Sequence, residues 1–145
     1  MAFNPKPVIQ KMHTFLASGG RCSGGVTIGE PKAPTDGLAA AVIIGPIAWT
    51  ETSLVKVSGR VDLIVRFYKN ALADPADETE FLLAQTALEV MEDIAGDFDF
   101  GDANVRNLIP LSVAMVPGYL DIGPTKFRVM DITVPLMVND LATFG

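Results

Sequence analysis

His13 and Cys22 are the residue types that could form a nucleophile and its base. A thiol attacks when a base lies within hydrogen-bond reach and a third group orients that base. The two residues stand on either side of Gly19-Gly20, so they can approach, yet an exposed histidine and a loop cysteine are the commoner meaning of such a pair. Asp97, Asp99 and Asp102 hint at a calcium loop, which needs oxygen ligands at its first, third and fifth positions, glycine at the sixth and glutamate at the twelfth. Counting from Asp97, those last three positions hold Gly101, Asp102 and Leu108, so the template fails and a solvated acidic turn is the stronger reading. Gly19, Gly20, Gly24 and Gly25 surround Arg21, but no Lys-Ser or Lys-Thr follows where a phosphate loop requires it, and the segment follows a helix rather than a strand. Lys56, Arg60, Arg66 and Lys69 alternate with Asp62 along one strand, with Tyr68 the single neighbouring aromatic, which suits a solvated or partner-facing sheet better than a nucleic-acid site. No catalytic, cofactor-binding or metal-ligating residue emerges. By exclusion the chain is expected to be no enzyme and to have a structural or binding role.

Composition narrows the classes further. The 145 residues suit one domain, residues 1–145, large enough to bury an ordinary core. Charged residues make up 19%, below the usual quarter, which is expected of a protein that hides surface against partners. The net charge of -6 opposes binding to nucleic acid through phosphate contacts. A single cysteine excludes an internal disulfide. The first ten residues do not read as a signal peptide, and the most apolar run, residues 38–49, is too short to span a bilayer and contains Gly45 and Pro46. A soluble protein made in a cytoplasm is expected.

The elements that must position these residues are organised around residues 54–70. Val55, Val57, Val61, Leu63, Val65 and Phe67 alternate with Lys56, Ser58, Arg60, Asp62 and Arg66, the pattern of a strand with one dry and one wet face. This strand is placed at the centre of the sheet. Gly59 interrupts the dry row and predicts a bulge or bend, and Ile64 and Tyr68 on the wet side predict that this face too is partly covered.

Asn4-Pro5 opens a first helix with Val8, Ile9, Met12, Phe15 and Leu16 as its apolar stripe, and Gly19-Gly20 ends it; His13 lies off the stripe. Residues 21–37 read as a long irregular segment punctuated by Gly24, Gly25, Gly29, Pro31, Pro34 and Gly37, either functional or a mobile surface loop. Residues 38–50 read as a buried strand, bent or at an edge near Pro46, joined by the turn 51–53 into an antiparallel hairpin with the central strand.

Asp77 and Glu80 fit a capping box starting a second helix that ends at Gly96. Its apolar side is read as Phe81, Leu83, Ala84, Ala87, Leu88, Val90, Met91 and Ile94. Residues 97–104 form a turn or short strand. Residues 105–121 are apolar pieces divided by Pro110 and Pro117-Gly118, and Gly123-Pro124 is a turn. The last strand, residues 126–138, has Met130, Ile132, Val134, Leu136 and Val138 on one side and an edge or bulge at Pro135; Leu141 and Phe144 can anchor the tail. The order predicts an α+β fold: a mainly antiparallel sheet with two helices packed on it.

Two stretches, VKVSGRVDLIVRFYKNALADPADETE and KFRVMDITVPLMVND, resemble the corresponding parts of tail terminator proteins of long-tailed, siphovirus-type bacteriophages, particularly those of actinobacteria. The resemblance covers most of the chain from Ser53 and finds no counterpart for residues 21–37. It implies a small α+β domain that forms a hexameric ring, caps the tail tube, ends its polymerisation and joins the tail to the head connector. It implies the virion as location, at the neck-proximal end of the tail after assembly in the host cytoplasm. The implied partners are five further copies, the major tail tube protein and the neck proteins, with DNA passing through the ring without specific binding, no membrane and no cofactor. Six copies would carry about 36 negative charges, which should keep passing DNA from sticking. The edges at Pro46 and Pro135, residues 21–37 and the tail after Val138 are then the expected contact elements. A head–tail stopper would share the ring but not the partner, and a small ligand-binding domain using Cys22, His13 and the glycine segment is the reading from a different class.

Overall fold

The computed structural model describes residues 2–30, 36–96, 100–101, 104–107 and 115–144. Among the described residues, two helices pack on a mostly antiparallel six-stranded sheet. In chain order the elements are α1 (Lys6–Ser18), β1 (Val26–Ile28), β2 (Ala39–Thr52), β3 (Lys56–Asn70), α2 (Ala76–Gly96), β4 (Val105–Asn107), β5 (Met115–Ile122) and β6 (Thr125–Thr143). The strands lie in the order β1-β2-β3-β6-β4, with β5 also paired to β6; every pairing is antiparallel except β1 with β2.

The alternation on β3 builds the main core. Val57, Val61, Leu63, Val65 and Phe67 are all buried, and Val61 to Phe67 meet Ile132, Val134 and Leu136 of β6 on the same face. Val8, Met12 and Leu16 of α1 and Leu83, Ala87, Val90 and Ile94 of α2 close that face. Helix α1 lies over β1 and β2, and α2 over β6 and β3. The helices are pinned together where Arg21, just past α1, donates to Asp93 (2.9 Å) and Glu89 (3.4 Å) of α2. Gly20 after α1 takes φ +74°, the left-handed turn at which glycine carries no Cβ penalty.

The wet face of β3 is indeed partly covered. Tyr68 is buried against Phe127 and Val129, its ring edge-on to Phe127 at 5.8 Å. Its neighbours across the hairpin are Ala39 and Ala41, whose small side chains leave the ring room. Gly59 is a close-approach position: a Cβ there would stand 2.4 Å from the Ala48 carbonyl oxygen and 2.5 Å from Leu141 Cδ2. The β3–β6 register slips between Val57 and Gly59, so the bulge predicted there is present.

Several expectations are corrected. Residues 21–37 are not irregular throughout, because Val26–Ile28 pairs in parallel with Ala40, Ala41 and Val42; Pro31 and Pro34 lie outside the described residues. The hairpin turn is centred on residues 53–55 rather than 51–53. The Ser53 hydroxyl oxygen accepts the Lys56 amide (3.1 Å), leaving Leu54 at the tip and Val55 exposed outside the dry row. The capping box does not form: α2 begins at Ala76, Asp77 Oδ1 accepts the Glu78 amide (2.9 Å), and Glu80 reaches across to Arg128. Strand β5 runs unbroken through Pro117-Gly118, with Pro117 opposite Met130. Strand β6 continues past Val138 to Thr143, so the tail is sheet, with Leu141 packed on Gly59 and the Phe144 amide donating to the Val55 carbonyl (2.7 Å). Pro135 is not on an edge strand: β6 is interior, and Pro135 faces Asp62 of β3, between the β5 ladder at Ile132 and the β4 ladder at Leu136. Pro110 lies outside the described residues.

Candidate functional site

His13 and Cys22 do not form the chemistry their types allow. The Nε2–H of His13 donates to the Val26 carbonyl (2.9 Å), which ties α1 to β1. Cys22 is half-buried against the main core, and that burial pushes its thiol above the ordinary value of 9.0 despite Arg21 nearby. A thiol held protonated is a poor nucleophile. Among the described residues no group of three His, Cys, Asp or Glu side chains comes together to hold a metal ion, and no helix is long and apolar enough to cross a membrane. Asp97, Asp99 and Asp102 lie outside the described residues.

Three of the four basic residues along β3 are paired within the chain. Arg60 Nε donates to Asp62 (2.6 Å), two residues on along the same face. Arg66 grips Asp131 of β6 through two N–H groups (2.8 and 3.0 Å) and also pairs with Glu30. Lys69 is buried with Asp74 (2.8 Å) and the Asp36 carbonyl. Of the four, Lys56 alone shows no carboxylate partner among the described residues. A row so neutralised offers no electrostatic track for phosphates.

What the surface does offer is apolar. Gly45-Pro46 makes a one-residue bulge in β2: Ile44 pairs with Leu63 and Ile47 with Val61. The bulge changes the parity of the strand, so Ile44, Ile47 and Trp49 all fall on the side of the buried row of β3. The helices do not reach them, and Ile47 is 55% and Trp49 64% exposed. Among the described residues β2 has no outer neighbour beyond Val42, so its backbone groups along this stretch face outward as Pro46 predicted. Beside it, Ile28 and the start of α1 enclose an open apolar hollow of about 290 Å³, lined by Asn4, Pro5, Lys6, Ile9, Gln10 and Ile28.

The opposite flank has its own apolar surface. Phe81, Ala84 and Leu88, spaced three and four apart and expected on the apolar side of the helix, lie on the outer surface of α2, with Phe81 71% exposed. Leu83, Thr86, Ala87, Val90 and Ile94 take the inward positions instead, because the helix is apolar on more than one side and packs through its smaller-waisted stripe. Beneath this surface Arg128 of β6 is held by Glu80 (2.6 Å) and stacks with Lys126 on the Tyr119 ring of β5, at 4.5 and 5.4 Å from its centroid. Among the described residues β5 pairs with β6 alone, leaving its outer edge open. No protein-family model matches the chain, and no curated protein sequence matches it.

Proposed function

We propose that the chain is a structural virion protein of a long-tailed bacteriophage: a tail terminator whose copies close into a hexameric ring on the end of the tail tube, stop its growth and present a surface to the head connector. The observation that carries this reading is the open outer edge of β2, with Ile44, Ile47 and Trp49 exposed along it. An edge strand of this length and apolarity is a template for another chain, and soluble monomers ordinarily blunt such edges with charge or cover. The second apolar surface, on α2, lies across the sheet from the first and differs from it. Two unlike surfaces meeting head to tail make a heterologous contact, which closes into a ring when the rotation per copy allows. The resemblance of residues 55–80 and 126–140 to tail terminators supplies the identity of the ring, and the net charge of -6 per copy suits a channel that lets DNA slide through.

The test is to add the purified chain to growing tubes of the cognate tail tube protein and image them by negative stain. Capped ends and tubes of limited length are expected. Tubes that elongate freely with no density at their ends would overturn the reading, and binding to portal and adaptor proteins alone would make the chain a head–tail stopper instead.

A further inference from the structure

We infer that Phe81 on the outer surface of α2 seats in the apolar hollow at the start of α1 of the next copy, so that the two helices form the lock of the head-to-tail contact. This rests on the ring reading above and names the surfaces that would make it.

Three observations converge. The first is fit. Phe81 is 71% exposed at the crown of α2, continued by Ala84 and Leu88, with no described residue packed over it. The hollow beside α1 measures about 290 Å³, larger than the roughly 150 Å³ that holds a benzene ring in a dry protein cavity. Its lining surface is almost wholly apolar, with Pro5, Ile9 and Ile28 beside Asn4, Lys6 and Gln10.

The second is charge. Helix α2 carries six acidic side chains and no basic one. Arg21 takes Glu89 and Asp93, and Arg128 takes Glu80, which leaves Asp77, Glu78 and Glu92 around Phe81 and Leu88 with no cationic partner among the described residues. Helix α1 carries Lys6 and Lys11 and no acid, and Lys6 stands on the rim of the hollow with no carboxylate partner among the described residues. Two unpaired carboxylates one turn before the aromatic knob, Asp77 and Glu78, thus complement a lysine at the mouth of an apolar socket, and such complementarity steers and orients association.

The third is placement. Knob and socket cannot meet within one chain, because α1 lies over β1 and β2 while α2 lies over β6 and β3. The face of α2 turned toward α1 is occupied by Glu89 and Asp93 on Arg21, and the face turned toward β6 by Glu80 on Arg128, so Phe81 is presented outward between them. A knob on one flank and a socket on the other make a heterologous contact that repeats from copy to copy.

The contact is tested by mixing two blocked variants. Phe81→Glu spoils the knob; Ile28→Glu spoils the socket, and Lys6→Glu serves in its place if Ile28→Glu loses the native circular dichroism. Light scattering of each variant alone should give monomer, with the association constant lowered about thirtyfold or more, the size expected for a central aromatic anchor. An equimolar mixture of a knob variant and a socket variant retains one intact knob and one intact socket per pair, and should give a dimer and nothing larger. Variants that assemble as the native chain does, a mixture that stays monomeric, or a native chain that remains monomeric up to about 1 mM would each overturn this contact. If the native chain still caps tail tubes, the ring reading survives that failure; if mixtures dimerise but tubes are not capped, the contact stands and the tail reading falls.

Discussion

The two halves of the β2–β3 hairpin make an instructive pair. At its root, Ala40 and Val42 face Phe67 and Val65, and α1 and α2 close over them, so each apolar side chain is buried. Toward its tip, Ile44, Ile47 and Trp49 face Leu63, Val61 and Gly59 on the same side of the same sheet, and no helix covers them. The strand chemistry is alike in both halves. What differs is the reach of α1, the helix laid against β2: it has 13 residues, while the hairpin strands run to 14 and 15 residues at more than twice the rise per residue. A helix of that length cannot shelter a sheet that long, and the uncovered end is where association is expected.

The largest contrast comes from truncating one side chain in each half. Phe67→Ala, at the root, empties a fully buried site and should lower unfolding free energy by about 3–5 kcal/mol. Trp49→Ala, although it removes more atoms, should change the stability of the isolated chain by less than about 0.5 kcal/mol. Urea unfolding of both at low concentration measures the difference, and a large loss from Trp49→Ala would break the comparison. Near the tip, Gly59→Ala places a methyl group on the Ala48 carbonyl oxygen and on Leu141, and should destabilise by about 1–3 kcal/mol; an unchanged urea midpoint would show that β2 and β6 do not press on this position.

The root should also respond to alkali. Burial pushes the Cys22 thiol above 9.0 and is the main cause raising the Tyr68 hydroxyl above 10.0. A group whose folded pKa is raised contributes stability that is complete below its unfolded pKa and is lost as pH rises through the folded one. The melting temperature should therefore fall as pH climbs past 9, and Cys22→Ser with Tyr68→Phe should flatten that fall. The smallest effect is expected of Arg21→Ala: its ion pairs with Glu89 and Asp93 are partly exposed, and their loss should cost no more than about 1 kcal/mol by thermal melting.

Alternation made the sheet legible. The period of two along β3 marked its centre, its dry face and the bulge at Gly59, and the apolar evens of β6 marked the face that strand buries, though not which strand it pairs with. Ile64 and Tyr68 gave away the covered second face. Legibility failed where a local feature broke the period. The bulge at Gly45-Pro46 changes the parity of β2, so nothing in its composition separates the buried Val42 from the exposed Ile47. On α2 the apolar residues wrap more than half of the helix, and periodicity alone cannot say which stripe turns inward, so the apolar side it marks includes the exposed Phe81 and Leu88. Three residues of β1 were too few to show a period of their own. The ion pair that neutralises Arg66 depends on strand register, which brings Asp131 opposite it from 65 residues away.

The chain's single tryptophan reports on the central claim without any substitution. Trp49 sits in the exposed half of the hairpin, on the edge proposed to meet a neighbour. Acrylamide quenching of its fluorescence, measured on the dilute monomer and on the ring assembled at the tube end, should show an accessible indole in the first and a shielded, blue-shifted one in the second. Equal quenching and an unchanged emission maximum in both states would contradict the account, because the β2 edge would then remain open in the assembly it is meant to build.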